Sequence, residues 1–402
     1  MRILHVIGDS AYGGGSRIIL AIATGAAAAG HEVQVLTTDP RFQSALADAG
    51  ITVVDRDWVR RRPGPVADVR GVWSLARWIR RQGYDVVHTH TTRGGLLGRL
   101  AATLARAPAV IHTAHGFAVA ESDGAAVQRA YFAFERLAAR WCHHVVAVSE
   151  HHRRWAATAG VRPRVDLRAI SNGVPDASAI AVAASAPSRR GSANIDEAEP
   201  ASSDLGRPRP TVLHHGRIAP GKGIDRLLVA FHDVLDVATP PPRLQVAGDG
   251  PSLASERSHA DELGLDDDVQ WLGYRDDIAT LLASADVVVL PSLREGLSLA
   301  VLETMAAGRP IVASALGGNI EALADGACGV LVPPGDTGAL SEAILGLLAE
   351  PGRAAELGRT ARERYLEAYR EDLMVARYLA LYDGALGSGR GAGGVVPRTA
   401  RT

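Results

Sequence analysis

The sequence predicts an α/β protein with two domains, each a parallel sheet flanked by helices. Short β-branched runs alternate with Ala-, Leu- and Arg-rich segments of helical period, which is the pattern of βαβ units. The alternation stops between Pro175 and Pro210, in a stretch rich in Ala, Ser, Pro and charge, and then resumes. A chain of 402 residues has room for about two to three domains.

Thirteen runs are predicted as strands, with helices between them. Seven precede the break: 2–7, 32–38, 51–55, 85–90, 109–114, 144–149 and 165–170. Six follow it: 211–215, 243–248, 269–273, 287–291, 310–314 and 329–332. The domains are therefore predicted at 1–175 and 210–370, joined by a flexible linker or insertion at 176–209.

The C-terminal part, 337–386, is predicted to be helical with an interruption near Pro351. Its last helix, 371–386, has a broad apolar face that includes Leu373, Met374 and Leu379. Such a face must pack on another part of the protein. The Gly-rich tail, 387–402, is predicted to be disordered.

Composition excludes several classes of protein. Hydrophobic residues make up 47% and charged residues 22% of the chain, the usage of a globular protein rather than of a disordered or collagen-like one. Cys142 and Cys328 lie far apart in apolar surroundings, which excludes a disulfide framework and a Cys-based zinc site. No signal-peptide core and no run near the ~20 apolar residues of a membrane span is present. We therefore expect a cytoplasmic protein.

Charge is distributed unevenly along the chain. Residues 1–175 contain 22 Arg against 13 Asp plus Glu, a net charge of +9, and the remainder carries −10. A basic first half is compatible with anionic lipid, a phosphorylated substrate or nucleic acid, or with an Arg-rich solvated surface. Because no basic stripe is interleaved with aromatic residues, nucleic acid is the least supported partner. Of the 43 basic residues only Lys222 is a lysine, which draws attention to that position.

In open parallel sheets, ligands bind beyond the carboxyl ends of the strands. After the first strand, Gly13, Gly14 and Gly15 precede a helix whose free N–H groups suit a phosphate. The alternative is a tight turn without a ligand. Gly8 lies too far upstream for the GxGxxG dinucleotide motif, which weakens a dehydrogenase interpretation.

Histidines cluster at the ends of two predicted strands, as His88 and His90 in DVVHTH and as His112 and His115 in AVIHTAHGF. A metal site is disfavoured because no carboxylate or Cys ligands at metal spacing accompany them. His115, just before Gly116, is the best candidate for ligand contact. The alternative is that it fixes a loop by hydrogen bonding.

Two cations follow the first strand of the second half, in HHGRIAPGKG. Arg217 comes directly after the strand and Lys222 stands at the start of a helix, a planar fork and a point charge that suit a diphosphate leaving group. The alternative is that both are ordinary surface cations.

Two carboxylates stand eight residues apart in EGLSLAVLE. Glu295 lies in the loop after strand 287–291 and Glu303 in the helix that follows, so we expect them at opposite ends of a bound ligand. A carboxylate commonly holds ribose hydroxyls, and the N–H groups of Gly296, Leu297, Ser298 and Leu299 at the helix start suit a phosphate. An exposed Glu303 is the alternative.

These residues together resemble the retaining glycosyltransferases of the GT-B fold, family 4, whose hallmark is the Glu-x7-Glu motif. The Gly13-Gly14 loop, the HTHTTRGGLLGRLAA and HTAHGF segments, ISNGV, GRIAPGKG, VAGDGP, LGYRDD and GGNIEAL occur in the family's order over residues 1–386. The resemblance implies two Rossmann-like doubly wound domains facing across a cleft. It also implies that a final helix crosses back to the first, acceptor-binding domain.

The resemblance further implies roles for individual residues. It places Arg217 and Lys222 on the donor diphosphate, Glu303 on the ribose, Glu295 on the transferred sugar and His115 beside the reacting sugar. It assigns four further positions or segments to donor binding: Gly13, Gly14, Tyr274 and 296–299. It implies no metal or other cofactor, because cations and helix N–H groups neutralise the diphosphate.

The expected donor is a UDP- or GDP-sugar and the expected acceptor a sugar or lipid-linked glycan of a bacterial cell surface. Ser298 and Ala300 stand where relatives frequently carry aromatic or bulkier residues, and the 176–209 insertion is longer than usual. A non-hydrolysing sugar-nucleotide epimerase and a catalytically silent sugar-nucleotide binder remain as alternatives.

The segment 72–83 suggests contact with a membrane. It places Trp73 and Trp78 near Arg77, Arg80 and Arg81, and it follows the run RRR at 60–62. Docking on anionic lipid at the inner face of the plasma membrane is one interpretation. The other is that the helix packs on the sheet with its tryptophans inside.

Overall fold

The computed structural model describes residues 1–8, 12–60, 62, 64–176 and 209–390. Two compact units divide the chain. The first unit runs from Met1 to Gly173 and resumes at Glu371, whereas the second comprises Val174–Arg370. The second unit is therefore inserted in the sequence of the first.

The first unit contains a seven-stranded parallel sheet in the order β3-β2-β1-β4-β5-β6-β7. Its strands are β1 (Arg2–Gly8), β2 (Glu32–Thr37), β3 (Thr52–Val54), β4 (Val86–His90), β5 (Ala109–Ala114), β6 (His144–Ala147) and β7 (Asp166–Ala169). Its helices are α1 (Gly14–Ala28), α2 (Pro40–Asp48), α3 (Pro65–Gln82), α4 (Thr92–Ala105), α5 (Ala125–Ala139) and α6 (Glu150–Thr158). The strand order reverses between β1 and β4, where ligands bind in such sheets.

The second unit repeats this plan with six parallel strands in the order β10-β9-β8-β11-β12-β13. The strands are β8 (Thr211–His215), β9 (Arg243–Ala247), β10 (Val269–Gly273), β11 (Val287–Leu290), β12 (Ile311–Ser314) and β13 (Val330–Val332). The helices are α7 (Ile224–Val237), α8 (Leu253–Glu262), α9 (Ile278–Ser284), α10 (Leu299–Ala306), α11 (Gly317–Ala322), α12 (Thr337–Ala349) and α13 (Pro351–Ala368). The predicted α/β fold class, two doubly wound domains, is confirmed.

Three strands, β5, β8 and β10, have the predicted bounds, and the bounds of the others differ from the predicted ones by one or two residues. β6 ends at Ala147 rather than at 149 because the Ser149 side chain accepts a hydrogen bond from the backbone N–H of His152 and so begins α6. Local capping chemistry, rather than the β-branched run, decides where this strand stops.

Helix α4 lies very close to the sheet because three of its residues are glycines. A Cβ at Gly95 would stand 2.3 Å from the ring of His112, and one at Gly94 would stand 2.7 Å from the Ile7 carbonyl oxygen. Gly98 similarly faces Thr89. The glycines of HTHTTRGGLLGRLAA therefore allow close helix–strand packing.

The last helix, α14 (Glu371–Arg390), belongs to the first unit and packs on α1 and β5. Tyr378 and Tyr382 are completely buried there. Their hydroxyls lie 3.1 Å from Oγ1 of Thr113 and 2.7 Å from Nδ1 of His88, respectively. The apolar face seen in the sequence thus covers the first sheet.

Helix α14 continues to Arg390, past Gly387, where the sequence predicted a disordered tail. This corrects the predicted boundary, because glycine weakens a helix without blocking its hydrogen bonds. The remainder of the tail, 391–402, lies outside the described residues, as does most of the predicted linker, 177–208. At the linker's ends, Asp176 pairs with Arg362 at 2.7 Å and Arg209 pairs with Asp268.

Within the described ranges, none of the helices combines the length and hydropathy needed to span a bilayer. Cys142 and Cys328 are both buried free thiols, and burial raises the pKa of Cys142 to about 11.

Candidate functional site

Loops at the carboxyl ends of β8, β11 and β12 pack backbone against backbone in the second unit. Gly223 has a φ of +72°, and a Cβ there would lie 2.1 Å from the carbonyl oxygen of Pro291. A Cβ at Gly318 would lie 1.8 Å from the carbonyl oxygen of Gly296. These contacts require glycine and bring the GRIAPGKG, EGLSLAVLE and GGNIEAL segments together.

Lys222 and Glu295, 73 positions apart in sequence, form an ion pair at this edge. Their side chains are 29% and 19% exposed, so both can be reached by a ligand. Arg217 stands exposed just beyond the end of β8. The structure therefore brings the predicted Lys222 and Glu295 into contact. It leaves Arg217, which also follows β8, open to solvent.

Glu303 lies on α10, where its carboxylate Oε2 is 3.6 Å from Nδ1 of His215 at the end of β8. Nε2 of His215 lies 3.1 Å from the Thr304 hydroxyl, which donates to the carbonyl oxygen of Ala300. That hydroxyl therefore accepts from His215 Nε2–H, and Nδ1 faces the carboxylate. His215 therefore lies beside Glu303, a neighbour that sequence reasoning missed because the two residues are far apart in the chain.

The remaining predicted donor residues lie at the same ends of the second sheet. Helix α10 begins at Leu299 with buried Ser298 at its N-cap, so Gly296 and Leu297 precede the helix rather than form its first turn. Tyr274 follows β10 and is 70% exposed. An exposed aromatic ring in this position is available for stacking.

In the first unit, α1 begins at Gly14 with Gly13 as its N-cap. His115 follows β5, and a Cβ at Gly15 would lie 3.6 Å from the imidazole ring of His115. The helix start and His115 are therefore neighbours at the carboxyl edge of the first sheet, and their contact with a ligand stays a prediction.

Buried histidines surround His115. Nδ1 of His5 lies 3.0 Å from Nε2 of His90, and Nδ1 of His90 lies 3.1 Å from Nε2 of His115. His5 was not a candidate from the sequence, because it appears there as a polar interruption of an apolar strand.

The nitrogens of His5, His88 and His90 lie within 4.8 Å of one another, which is close enough to hold a metal ion. Both ring nitrogens of His88 already have partners, however, at 2.7 Å on Tyr382 and 2.8 Å on Thr113. Hydrogen bonds therefore account for every ring nitrogen of this cluster except Nε2 of His5. The absence of a metal requirement stays a prediction.

We expect Glu303→Gln to weaken binding of the free nucleoside diphosphate at least tenfold. The amide loses a charge-assisted acceptor for the ribose hydroxyls, worth ~1.5–3 kcal/mol. Isothermal titration calorimetry with UDP and GDP measures the affinity. Glu342→Gln on α12 provides a control, and an unchanged affinity for Glu303→Gln would exclude the ribose assignment.

Two family models match the chain, a glycosyl transferase 4-like domain over residues 13–173 and glycosyl transferases group 1 over residues 196–364. A relative of substantial identity is the phosphatidyl-myo-inositol mannosyltransferase of Mycobacterium leprae, 32% identical over 76% of this chain and 72% of that protein. The chain belongs to the group 1 glycosyltransferases. The resemblance to family 4 noted from the sequence is thereby confirmed.

A further relative and a solved structure are also similar to this chain. The UDP-Gal:alpha-D-GlcNAc-diphosphoundecaprenol alpha-1,3-galactosyltransferase of Escherichia coli is 30% identical over 63% of this chain. This chain spans only 64% of that protein's length. The crystal structure of Anabaena HepE in complex with UDP and glucose has a TM-score of 0.76, with 21% identity, and covers 95% of this chain and 99% of that one. That similarity concerns the GT-B fold.

Proposed function

We propose that this glycosyltransferase moves a hexose or related sugar from UDP or GDP to a sugar or lipid-linked acceptor, with retention of the anomeric configuration. The Lys222–Glu295 pair at the carboxyl edge of the second sheet carries the proposal. The names of the Escherichia coli and Mycobacterium leprae relatives, which describe lipid-linked acceptors, support synthesis of a cell-surface polysaccharide or glycolipid as the setting.

Donor binding would exchange one partner of Lys222 for another. The ammonium group is paired with the Glu295 carboxylate, and an incoming diphosphate competes for it. Transfer of Lys222 to the phosphate frees Glu295 to accept hydrogen bonds from sugar hydroxyls. Lys222 and Arg217 would then stabilise the charge that develops on the leaving diphosphate.

The other residues would orient the donor. Glu303, which lies beside His215, would accept from the ribose hydroxyls, and the exposed Tyr274 would stack on the base. In the first unit, the helix start at Gly13 and Gly14 would donate N–H groups to phosphate, and His115 would contact the transferred sugar. With this set of cations and N–H donors, we propose that no metal is required.

Donor hydrolysis tests the proposal without knowledge of the acceptor. We expect one of a panel of UDP- and GDP-sugars to be hydrolysed with release of UDP or GDP, and EDTA should not affect the rate. Proton NMR should show that an α-linked donor releases the α-anomer of the sugar first. Binding without turnover would indicate a silent binder. Recovery of an epimerised sugar nucleotide would indicate an epimerase, and the β-anomer would exclude retention.

A second part of the proposal is docking of the first unit on anionic lipid at the inner face of the plasma membrane. Helix α3 exposes Val66, Val69 and Trp73, whose spacing puts them along one face. Trp78 instead packs on the core and donates from Nε1 to the Tyr84 hydroxyl at 3.1 Å. The two tryptophans of the segment thus lie on opposite sides of the helix.

Arginines accompany the exposed apolar residues of α3. Arg70, Arg77, Arg80 and Arg81 are exposed on the same helix. Arg60, in the preceding RRR run, is paired with Asp57, so part of its charge is already balanced. An apolar stripe with flanking arginines matches the requirements of an interfacial helix.

Vesicle co-sedimentation measures this docking. We expect binding to anionic but not to neutral vesicles, with loss of binding at high salt, because each basic residue near the surface contributes about 1 kcal/mol. Replacement of Arg60, Arg61 and Arg62 by Ser, or Trp73→Ser, should reduce the bound fraction. Val237→Ser, at an equally exposed apolar residue of the second unit, is the control. Equal recovery in the supernatant with both vesicle types would contradict docking.

A further inference from the structure

A cavity of about 850 Å³ lies in the second unit, at the edge of the sheet where the strands begin. Its wall includes Pro210, Asp286 and Pro310, the residues directly before β8, β11 and β12. The proposed donor residues Lys222 and Glu295 instead follow β8 and β11, beyond their carboxyl ends. Because parallel strands all begin at one edge of a sheet and end at the other, the cavity is separate from the proposed donor site.

Apolar side chains form most of the wall. Helix α12 contributes Leu345 and Leu348, and helix α13 contributes Ala354 and Ala355. A volume of this size and a largely apolar wall are typical of sites for small molecules. Sugars and nucleotides would leave most of their polar groups without partners here, whereas a hydrocarbon chain needs none. The polar side chains among the residues that line the cavity are those of Thr239, Asp286, Arg309 and Arg359.

Two of the three charged side chains of the wall are already engaged within the protein. Arg359 is paired with Glu356 at 2.6 Å and also with Glu363. The carboxylate of Asp286 accepts a hydrogen bond at 2.7 Å from the backbone N–H of Thr211 and is therefore turned towards β8. A ligand would have to compete with these partners for either group.

Arg309 differs from the other two charged residues of the wall. The pairing of Val288 with Ile311 puts Asp286 and Arg309, each two residues earlier, opposite each other on β11 and β12. Nevertheless, no ion pair joins them in the part of the chain that the structure describes, and Nε of Arg309 is buried without a hydrogen-bond partner among those residues. A buried donor without a partner costs free energy, which an oxygen of a bound anion would recover.

We propose that this cavity binds a small amphiphile, a single hydrocarbon chain with one anionic head group. The head accepts hydrogen bonds from Arg309, and the chain lies against the apolar side chains of α12 and α13. A carboxylate and a phosphate both supply a charged oxygen acceptor, so a fatty acid and a lipid phosphate share the required chemistry. The inference does not depend on the proposed function, because the cavity shares no residue with the proposed donor site.

Isothermal titration calorimetry on the full chain tests the site with decanoate, decyl phosphate and decanol, each below the concentration at which it aggregates. We expect one equivalent of either anion to bind and decanol to bind at least tenfold more weakly, because it lacks the charged acceptor. Octanoate, shorter by two methylene groups, should bind about tenfold more weakly than decanoate. The anion that binds more tightly distinguishes a fatty acid from a lipid phosphate as the source of the head group.

Two variants test the head group and the chain separately. Arg309→Met removes the charge but keeps an unbranched side chain, so it should weaken decanoate binding at least tenfold and leave decanol binding unchanged. Ala355→Phe, at an exposed position of α13 that lines the cavity, should fill it and prevent binding of both probes. Arg353→Met is the control, because this exposed arginine of α13 is paired with Glu350 and does not line the cavity. Circular dichroism checks that each variant is folded.

Three results would overturn the proposal. These are no saturable binding of either anion, equal affinity for decanoate and decanol, or unchanged decanoate binding in both Arg309→Met and Ala355→Phe. If Arg309→Met does not fold, the comparison of decanoate with decanol and the Ala355→Phe variant still decide. Donor hydrolysis does not enter these measurements, so failure of the cavity site and failure of the proposed function are distinguishable.

Discussion

Lys222→Ala should lower the rate of donor turnover at least 100-fold. Removal of one electrostatic donor to a leaving group costs ~2.7–4 kcal/mol of transition-state stabilisation. Arg217→Ala should have a comparable effect because its exposed guanidinium is proposed to contact the same diphosphate. Lys222→Arg should also be impaired, since a planar fork does not replace a compact ammonium group.

Steady-state kinetics of donor hydrolysis measure these effects, with circular dichroism as a check on folding. Arg226→Ala, at an exposed cation on α7 paired with Asp225, is the control and should leave the rate unchanged. Full turnover in both Lys222→Ala and Arg217→Ala would refute the leaving-group role.

A second large effect is expected from Glu135→Leu. Arg99 has a completely buried side chain whose Nη2 donates to Glu135 at 3.1 Å and whose Nε donates to the carbonyl oxygen of Gly95 at 2.8 Å. Removing the carboxylate leaves a buried guanidinium without its counter-charge, which lowers the free energy of unfolding by about 3–5 kcal/mol. Urea unfolding followed by circular dichroism measures the change.

The double variant Arg99→Met with Glu135→Leu should recover most of that loss, because apolar replacement of a whole buried pair is often neutral. Glu32→Leu, which breaks the exposed pair between Arg2 and Glu32 in the same unit, should change stability much less. A Glu135→Leu midpoint equal to that of Glu32→Leu would show that the buried pair contributes little.

The alternation of strands and helices was predictable because it depends on local hydrophobic period and on turn residues. The two parallel sheets follow from this alternation, and the family follows from the order of the motifs. The predicted site residues of the second unit also lie together at strand ends, because parallel strands place all their carboxyl ends at one edge. Lys222 and Glu295 were chosen separately from the sequence and prove to be in contact.

Partners that depend on strand neighbours were not predictable. His5 is aligned with His88 because β1 lies beside β4, an order that no local pattern specifies. His215 meets Glu303 for the same kind of reason, through the placement of α10 beside β8. Helix α3 starts at Pro65, seven residues before the predicted segment. Its outer face is defined by the exposed Trp73, whereas Trp78 packs on the core.

The return of the chain to the first unit at α14 has a consequence for synthesis on the ribosome. A nascent chain ending at Gly173 contains every strand of the first sheet but lacks Tyr378 and Tyr382, which cover Thr113 and His88. At about 5–20 residues per second, these tyrosines follow roughly 10–40 s later. The first domain is thus discontinuous in sequence, and during that interval Thr113 and His88 lack the two tyrosines that cover them. Vectorial folding of this protein therefore completes the second domain before the first.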